Sequence, residues 1–127
     1  DYVGMEQEQF EKTGVYPIMH ILGMRRAILE DHPWVARNLY NAFLESKNRS
    51  VERILDPAVS RYPVPWMTAH AREKQAQFGG DMFPYGIEEN RKTWEAMALY
   101  TFQQGIAHRQ FAPEEIFPEG IMTSVII

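Results

Sequence analysis

The sequence predicts a mainly α-helical chain with a minor β component, an α/β composition in which helices dominate. Three observations carry this. Apolar residues recur at helical spacing over most of residues 30–104, glycines and prolines fall where such helices stop and start, and one β-compatible apolar run, residues 15–24, interrupts the pattern. The 127 residues are the length of one ordinary domain, and a hydrophobic content of 45% with 13% aromatics is enough for a core.

At the amino end, Tyr2, Met5 and Phe10 lie among glutamates and glutamines, and Lys12 precedes Gly14. This predicts a short amphipathic helix over residues 1–12 that closes at Gly14. Residues 15–24 are too short and too interrupted by proline for a helix, so they predict a strand from near Pro17 to Gly23 or Met24. Both alternating faces of that strand are apolar. It is expected to need cover on both sides, and a partner sheet that this chain does not fully supply.

Residues 26–30 predict one or two helical turns. The clearest helix follows in "EDHPWVARNLYNAFLESKNRSVERIL", with Asp31 or His32 as cap and Pro33 in its first turn. Trp34, Val35, Leu39, Ala42, Phe43, Val51, Ile54 and Leu55 recur at helical spacing, and Glu45 is placed to pair with Arg49 on the wet face. Three prolines make residues 56–65 a surface loop. Residues 66–78 predict a helix stopped by Gly79 and Gly80, "DMFPYGI" an aromatic loop, and residues 88–104 an amphipathic helix stopped by Gly105. In that last helix Trp94, Met97, Ala98, Tyr100 and Phe102 lie on or beside the buried side. "APEEIF" predicts a short terminal helix, and "IMTSVII" a final strand or a docked end.

Composition excludes several classes of function. With 13 basic residues scattered among 17 acidic ones and a net charge of −4, the chain carries no nucleic-acid surface. The absence of cysteine excludes disulfides, thiolate nucleophiles and cysteine-ligated zinc. No apolar run approaches the roughly 20 residues of a membrane span, so no membrane insertion is expected. The chain opens on Asp1 without an initiator methionine or an apolar signal core, and is expected to be a piece of a longer protein.

Chemistry-bearing residues are few. His20 sits in the apolar run, where two roles are open to it: a satisfied core or hinge residue, or a group held at a site. Alternation places Ile18, His20 and Leu22 on one face, a setting that desolvates the imidazole. Arg25 and Arg26 follow just past the strand end, where open α/β sheets place their ligands, and their guanidiniums can receive a carboxylate bidentately. Flanking a helix start is their alternative role. Phe83, Pro84 and Tyr85 form a stiff aromatic turn that either walls a pocket or covers a core edge. His20, His32, His70 and His108 show no close ligand spacing, and no metal site is expected.

Four stretches in order, "KTGVYPIMHILGMRR", "EDHPWVARNLYNAF", "VPWMTAHAREKQAQFGGDMFPYGIEENRKTWEAM" and "FAPEEIF", resemble the carboxy-terminal part of the 4,5-dihydroxyphthalate decarboxylase family, relatives of transporter substrate-binding proteins. The resemblance runs from about Tyr2 to Phe117; "SRYPVPW" and "EGIMTSVII" match no motif of it. It implies a carboxy-terminal piece of a longer, two-lobed fold of the type 2 periplasmic-binding-protein kind, with the PIMH strand as the crossover toward the first lobe. It also implies loss of one carboxylate from a dihydroxylated phthalate without an organic cofactor, with His20 as catalytic proton donor, Arg25 and Arg26 as the substrate clamp and Tyr85 as a substrate-binding wall. The implied partners are a small aromatic or organic acid, together with the rest of the same chain or a homo-oligomer. A solute-binding role in a transporter is the alternative. A cytoplasmic location goes with the enzyme, and an extracytoplasmic one with a signal peptide ahead of this segment.

Overall fold

The computed structural model of the chain describes residues 1–59 and 61–121. Five α-helices follow one another: α1 (Tyr2–Thr13), α2 (Arg26–Asp31), α3 (Trp34–Leu55), α4 (Met67–Gln77) and α5 (Arg91–Gln103). Two 3₁₀ turns, Pro113–Glu115 and Glu119–Ile121, come after them. The predicted tail "IMTSVII" lies, beyond Ile121, outside the described residues. The chain divides into two compact units: Asp1–Ala36 with Tyr85–Ile127, and Arg37–Pro84.

In the first unit, Asp1 starts α1 by accepting the Gly4 N–H on its carboxylate at 3.3 Å. Gly14 ends it in the left-handed conformation (φ 67°), donating its N–H to the Phe10 carbonyl at 2.7 Å. The helix and its stop are as the sequence predicts. Residues 17–24, predicted as a strand, form no ladder, and no strand occurs among the described residues. The reason is physical: a strand exists only by pairing, and no neighbouring strand is available here to satisfy its backbone.

Helix α5 supplies the core of this unit. Trp94 and Ala98, one turn apart, are 4% and 1% exposed, and Ile87 and Pro113 are buried with them. The Trp94 indole meets Phe117 edge-on, with centroids 4.9 Å apart and planes at 78°. The buried stripe is narrower than the sequence predicts, because Met97, Tyr100 and Phe102 turn outward and stay exposed. Asn90 precedes the helix, its side-chain amide donating back to the Gly86 carbonyl at 3.0 Å.

In the second unit Ala71 of α4 is buried, and it lines one groove with residues of α3. Helix α4 starts one residue later than predicted. Trp66 stands at its N-cap in the left-handed region (φ 58°), a conformation that costs an L-residue roughly 1–2 kcal/mol. Gly79 (φ 69°) and Gly80 (φ 114°) end it, the Gly80 N–H reaching the Gln75 carbonyl at 2.8 Å. The chain then turns on Asp81: Oδ1 accepts the Phe83 N–H at 3.0 Å, and Oδ2 accepts from Lys47 Nζ at 2.7 Å. The predicted Glu45–Arg49 pair forms on α3, also at 2.7 Å, with both side chains in water.

The two ion pairs differ in burial, and that sets their worth. The Lys47 side chain is 11% exposed, so removing its carboxylate leaves a poorly solvated cation. Asp81→Ala is expected to cost about 1–3 kcal/mol, and Glu45→Ala under about 0.5 kcal/mol, read as shifts in the urea unfolding midpoint. Equal costs for the two would show that burial does not govern them.

Candidate functional site

The segment that carries three of the four predicted site residues is anchored at its start and runs directly into α2 at its end. At its start the Thr93 hydroxyl on α5 accepts the Tyr16 N–H at 3.2 Å and donates to the Tyr16 carbonyl at 3.1 Å. Phe10 meets the Tyr16 ring edge-on, centroids 6.1 Å apart. At its end Arg25 is extended (φ −66°, ψ 132°), and its carbonyl accepts the Ile28 N–H at 3.1 Å to open α2.

Between these anchors His20 is exposed, as are Arg25 and Arg26. The predicted apolar enclosure of His20 therefore does not form from the described residues. None of the three makes a side-chain hydrogen bond or ion pair among those residues. Arg25 and Arg26 do flank a helix start, the alternative foreseen for them, yet cations at that end are opposed by the helix dipole. Helix formation thus gives no reason for their charge. Tyr85 is half-buried, next to Gly86 (φ 115°) and two residues before buried Ile87.

None of these four residues lines either of two grooves that the described chain forms. The larger, about 780 Å³ and open to solvent, lies in the first unit along α5 and residues 110–114. Arg91 is on its wall, with its Nε and Nη2 engaged. Its Nε donates to Glu88 Oε2 at 3.0 Å, its Nη2 is shared with Glu88 and Glu114, and Glu95 approaches Nη1 at 3.9 Å. This guanidinium holds α5 to the Pro113–Glu115 turn through Nε and Nη2, and only its Nη1 end makes no hydrogen bond.

Lys92, beside it, lies across Gly14 at the carboxyl end of α1, where a Cβ would sit 2.9 Å from its Cδ and 3.0 Å from its Nζ. It makes no ion pair among the described residues and faces the apolar walls of Leu99, Tyr100 and Phe111. Sequence reasoning gave Lys92 no role; its position in the quoted "NRKT" was the available signal. The groove is lined by Glu95 and Glu114 as well, and by no imidazole.

The smaller groove, about 200 Å³, lies in the second unit between α3, α4 and residues 82–83, with exposed His70 at its edge. Its cations are committed: Lys47 to Asp81 at 2.7 Å, and Lys74 to Glu73 at 3.2 Å. Among the described residues no group of three or more histidines, aspartates and glutamates is placed to hold a metal ion.

The acidic groups with displaced ionisation are structural. The Arg109 guanidinium and the Ala112 N–H hold Glu115 down at about 2. Arg91, with the backbone, lowers Glu114, and Arg91 likewise lowers Glu88.

No protein-family model matches the chain. Over 117 residues it is 30% identical to the 4,5-dihydroxyphthalate decarboxylase of Comamonas testosteroni, an alignment that takes in 92% of this chain and 36% of that enzyme. The chain is a distant, partial relative of that decarboxylase. It spans about a third of the length of the curated relative it matches.

The displaced carboxylates make a prediction with a definite sign. Each is lower in the folded chain than in the unfolded one, so its stabilisation is present above the ordinary carboxylate range and is lost as pH falls through the lowered value. Acidification to about pH 2 should release the turn around Glu115 and shift the Trp94 indole N–H resonance through its contact with Phe117. Arg109→Ala should move that transition up toward the ordinary carboxylate range. An unchanged Trp94 signal across this window would show that the turn is not held by these pairs.

Proposed function

We propose that this chain is the carboxy-terminal part of an aromatic carboxy-lyase that removes one carboxylate from 4,5-dihydroxyphthalate or a close analogue. The observation that carries the reading is the 30% identity to a decarboxylase of that name over nearly the whole chain. The comparisons do not favour the solute-binding alternative. On this reading the complete protein is two-lobed, of the type 2 binding-protein kind, and works in the cytoplasm with the remainder of its own chain completing the pocket.

The chemistry needs little beyond a proton and a clamp. In 4,5-dihydroxyphthalate each carboxylate-bearing carbon has a hydroxyl para to it. Electron donation from that hydroxyl lets the ring accept a proton at the carbon bearing the carboxylate. The carbon–carboxylate bond then breaks, its electron pair returns to the ring to restore aromaticity, carbon dioxide leaves, and a dihydroxybenzoate remains. The ring itself stores the charge, so the residues required are a general acid and cations for the retained carboxylate.

His20 takes the first role and Arg25 with Arg26 the second. All three are exposed within residues 20–26, and none is committed to another side chain among the described residues. Tyr85 closes one wall. His20 carries and replaces the proton at the ring carbon; the arginines hold the carboxylate that stays.

The test is turnover of 4,5-dihydroxyphthalate by the full-length protein. His20→Gln is expected to lower kcat by about 10²–10⁴-fold, the range for loss of a general acid, with the melting temperature unchanged. Arg25→Ala or Arg26→Ala should raise KM by roughly 10–100-fold, the cost of a charge-assisted contact. The 127-residue chain alone should show no turnover. Full activity of His20→Gln would remove His20 from the mechanism, and binding of the acid by the intact protein without carbon dioxide release would overturn the decarboxylase reading.

A further inference from the structure

We infer that residues 17–24 are an interior strand of a sheet whose other strands come from polypeptide beyond this chain, with neighbours on both edges and layers on both faces. The inference stands apart from the proposed activity. It rests on the backbone, the exposed side chains and the length of the relative.

The backbone comes first. Among the described residues, no backbone–backbone hydrogen bond involves residues 17–24, although Thr93 holds Tyr16 just before them and Arg25 opens α2 just after. Pro17 stands at its beginning, the position in a strand where a missing N–H is tolerated. From Ile18 to Met24 every residue keeps its donor and its acceptor, and no further proline follows. A solvated loop between two helices has no need of such a run; glycine, serine, asparagine or aspartate would serve it better.

The side chains say the same of the faces. Ile18 is 37% exposed, Met19 69%, Ile21 69% and Leu22 64%. Ile18 and Leu22 share one side of an extended chain, and Met19 and Ile21 the other. An edge strand or a hairpin arm with one wet face alternates apolar with polar; this one is apolar on both sides, the pattern of a strand covered above and below.

Those two facts select the occupant. A second copy of the chain, pairing strand to strand, covers one edge and leaves the other edge open and both faces wet. Two edges and two faces call for a sheet with its own covering layers. The curated relative is long enough to hold one, since the aligned stretch accounts for only 36% of it.

Amide hydrogen exchange in the full-length protein, compared with the 127-residue chain, tests this without any substitution. In the full-length protein the amides of residues 18–24 should exchange at least about 100-fold more slowly than in the short chain, as expected of a buried ladder. Fast exchange in the full-length protein would overturn the proposal. So would protection already present in the short chain: if it grows with protein concentration the partner is a second copy, and if it does not, the chain covers the segment itself. A translated polypeptide made of these 127 residues alone would overturn it as well. None of these outcomes depends on decarboxylase activity.

Discussion

The Trp94 indole, buried against Phe117 beside Ala98, Ile87 and Pro113, is the contact on which the first unit depends. A tryptophan of this burial removes ~150–250 Å² from water, worth roughly 4–6 kcal/mol at about 25 cal/mol per Å². Little else in the unit contributes on that scale. Helix α1 has no buried residue, α2 has none, and α3 buries Ala36 alone. The remaining hold on α5 is polar: Arg91 to Glu114 across the Pro113–Glu115 turn, and Thr93 to both backbone groups of Tyr16.

The same shortage of burial explains why no closed site is seen. A pocket that desolvates an imidazole needs apolar walls fixed on several sides. Here Met19, Ile21 and Leu22, the residues that would make such walls near His20, are themselves exposed. His20, Arg25 and Arg26 are therefore held on a positioned segment but not enclosed. Lys47, nearly buried, and the half-buried Arg91 are spent on carboxylates of the chain itself. His20, Arg25 and Arg26 lie in or beside the stretch whose side chains still lack cover, and Lys92 on α5 likewise makes no ion pair among the described residues.

Much of this was legible in the sequence because it is local. Gly14, the Gly79–Gly80 pair and the Glu45–Arg49 spacing act within a turn or two of chain, and each does in the structure what its local chemistry dictates. The outward turn of Tyr100 and Phe102 was not legible, since helical spacing alone does not reveal how wide a stripe the neighbours cover. Nor was the choice of partners: Lys47 with Asp81 and Arg91 with Glu114 are separated by 34 and 23 residues, and many other pairings satisfy the same charges. The strand over residues 15–24 shows the limit most clearly. Its composition asks for a ladder, and a ladder is a property of two segments.

The central proposal is that this chain carries folded helices whose apolar surfaces are completed by further polypeptide. Differential scanning calorimetry of the 127-residue chain tests it directly, because unfolding enthalpy reports buried contact rather than helix content. A self-sufficient domain of this length should absorb about 90 kcal/mol near 60 °C, from about 0.7 kcal/mol per residue. The account predicts a broad transition of well under half that value, with the full specific enthalpy restored in the longer protein. A sharp, two-state transition of the isolated chain at the full value would contradict it.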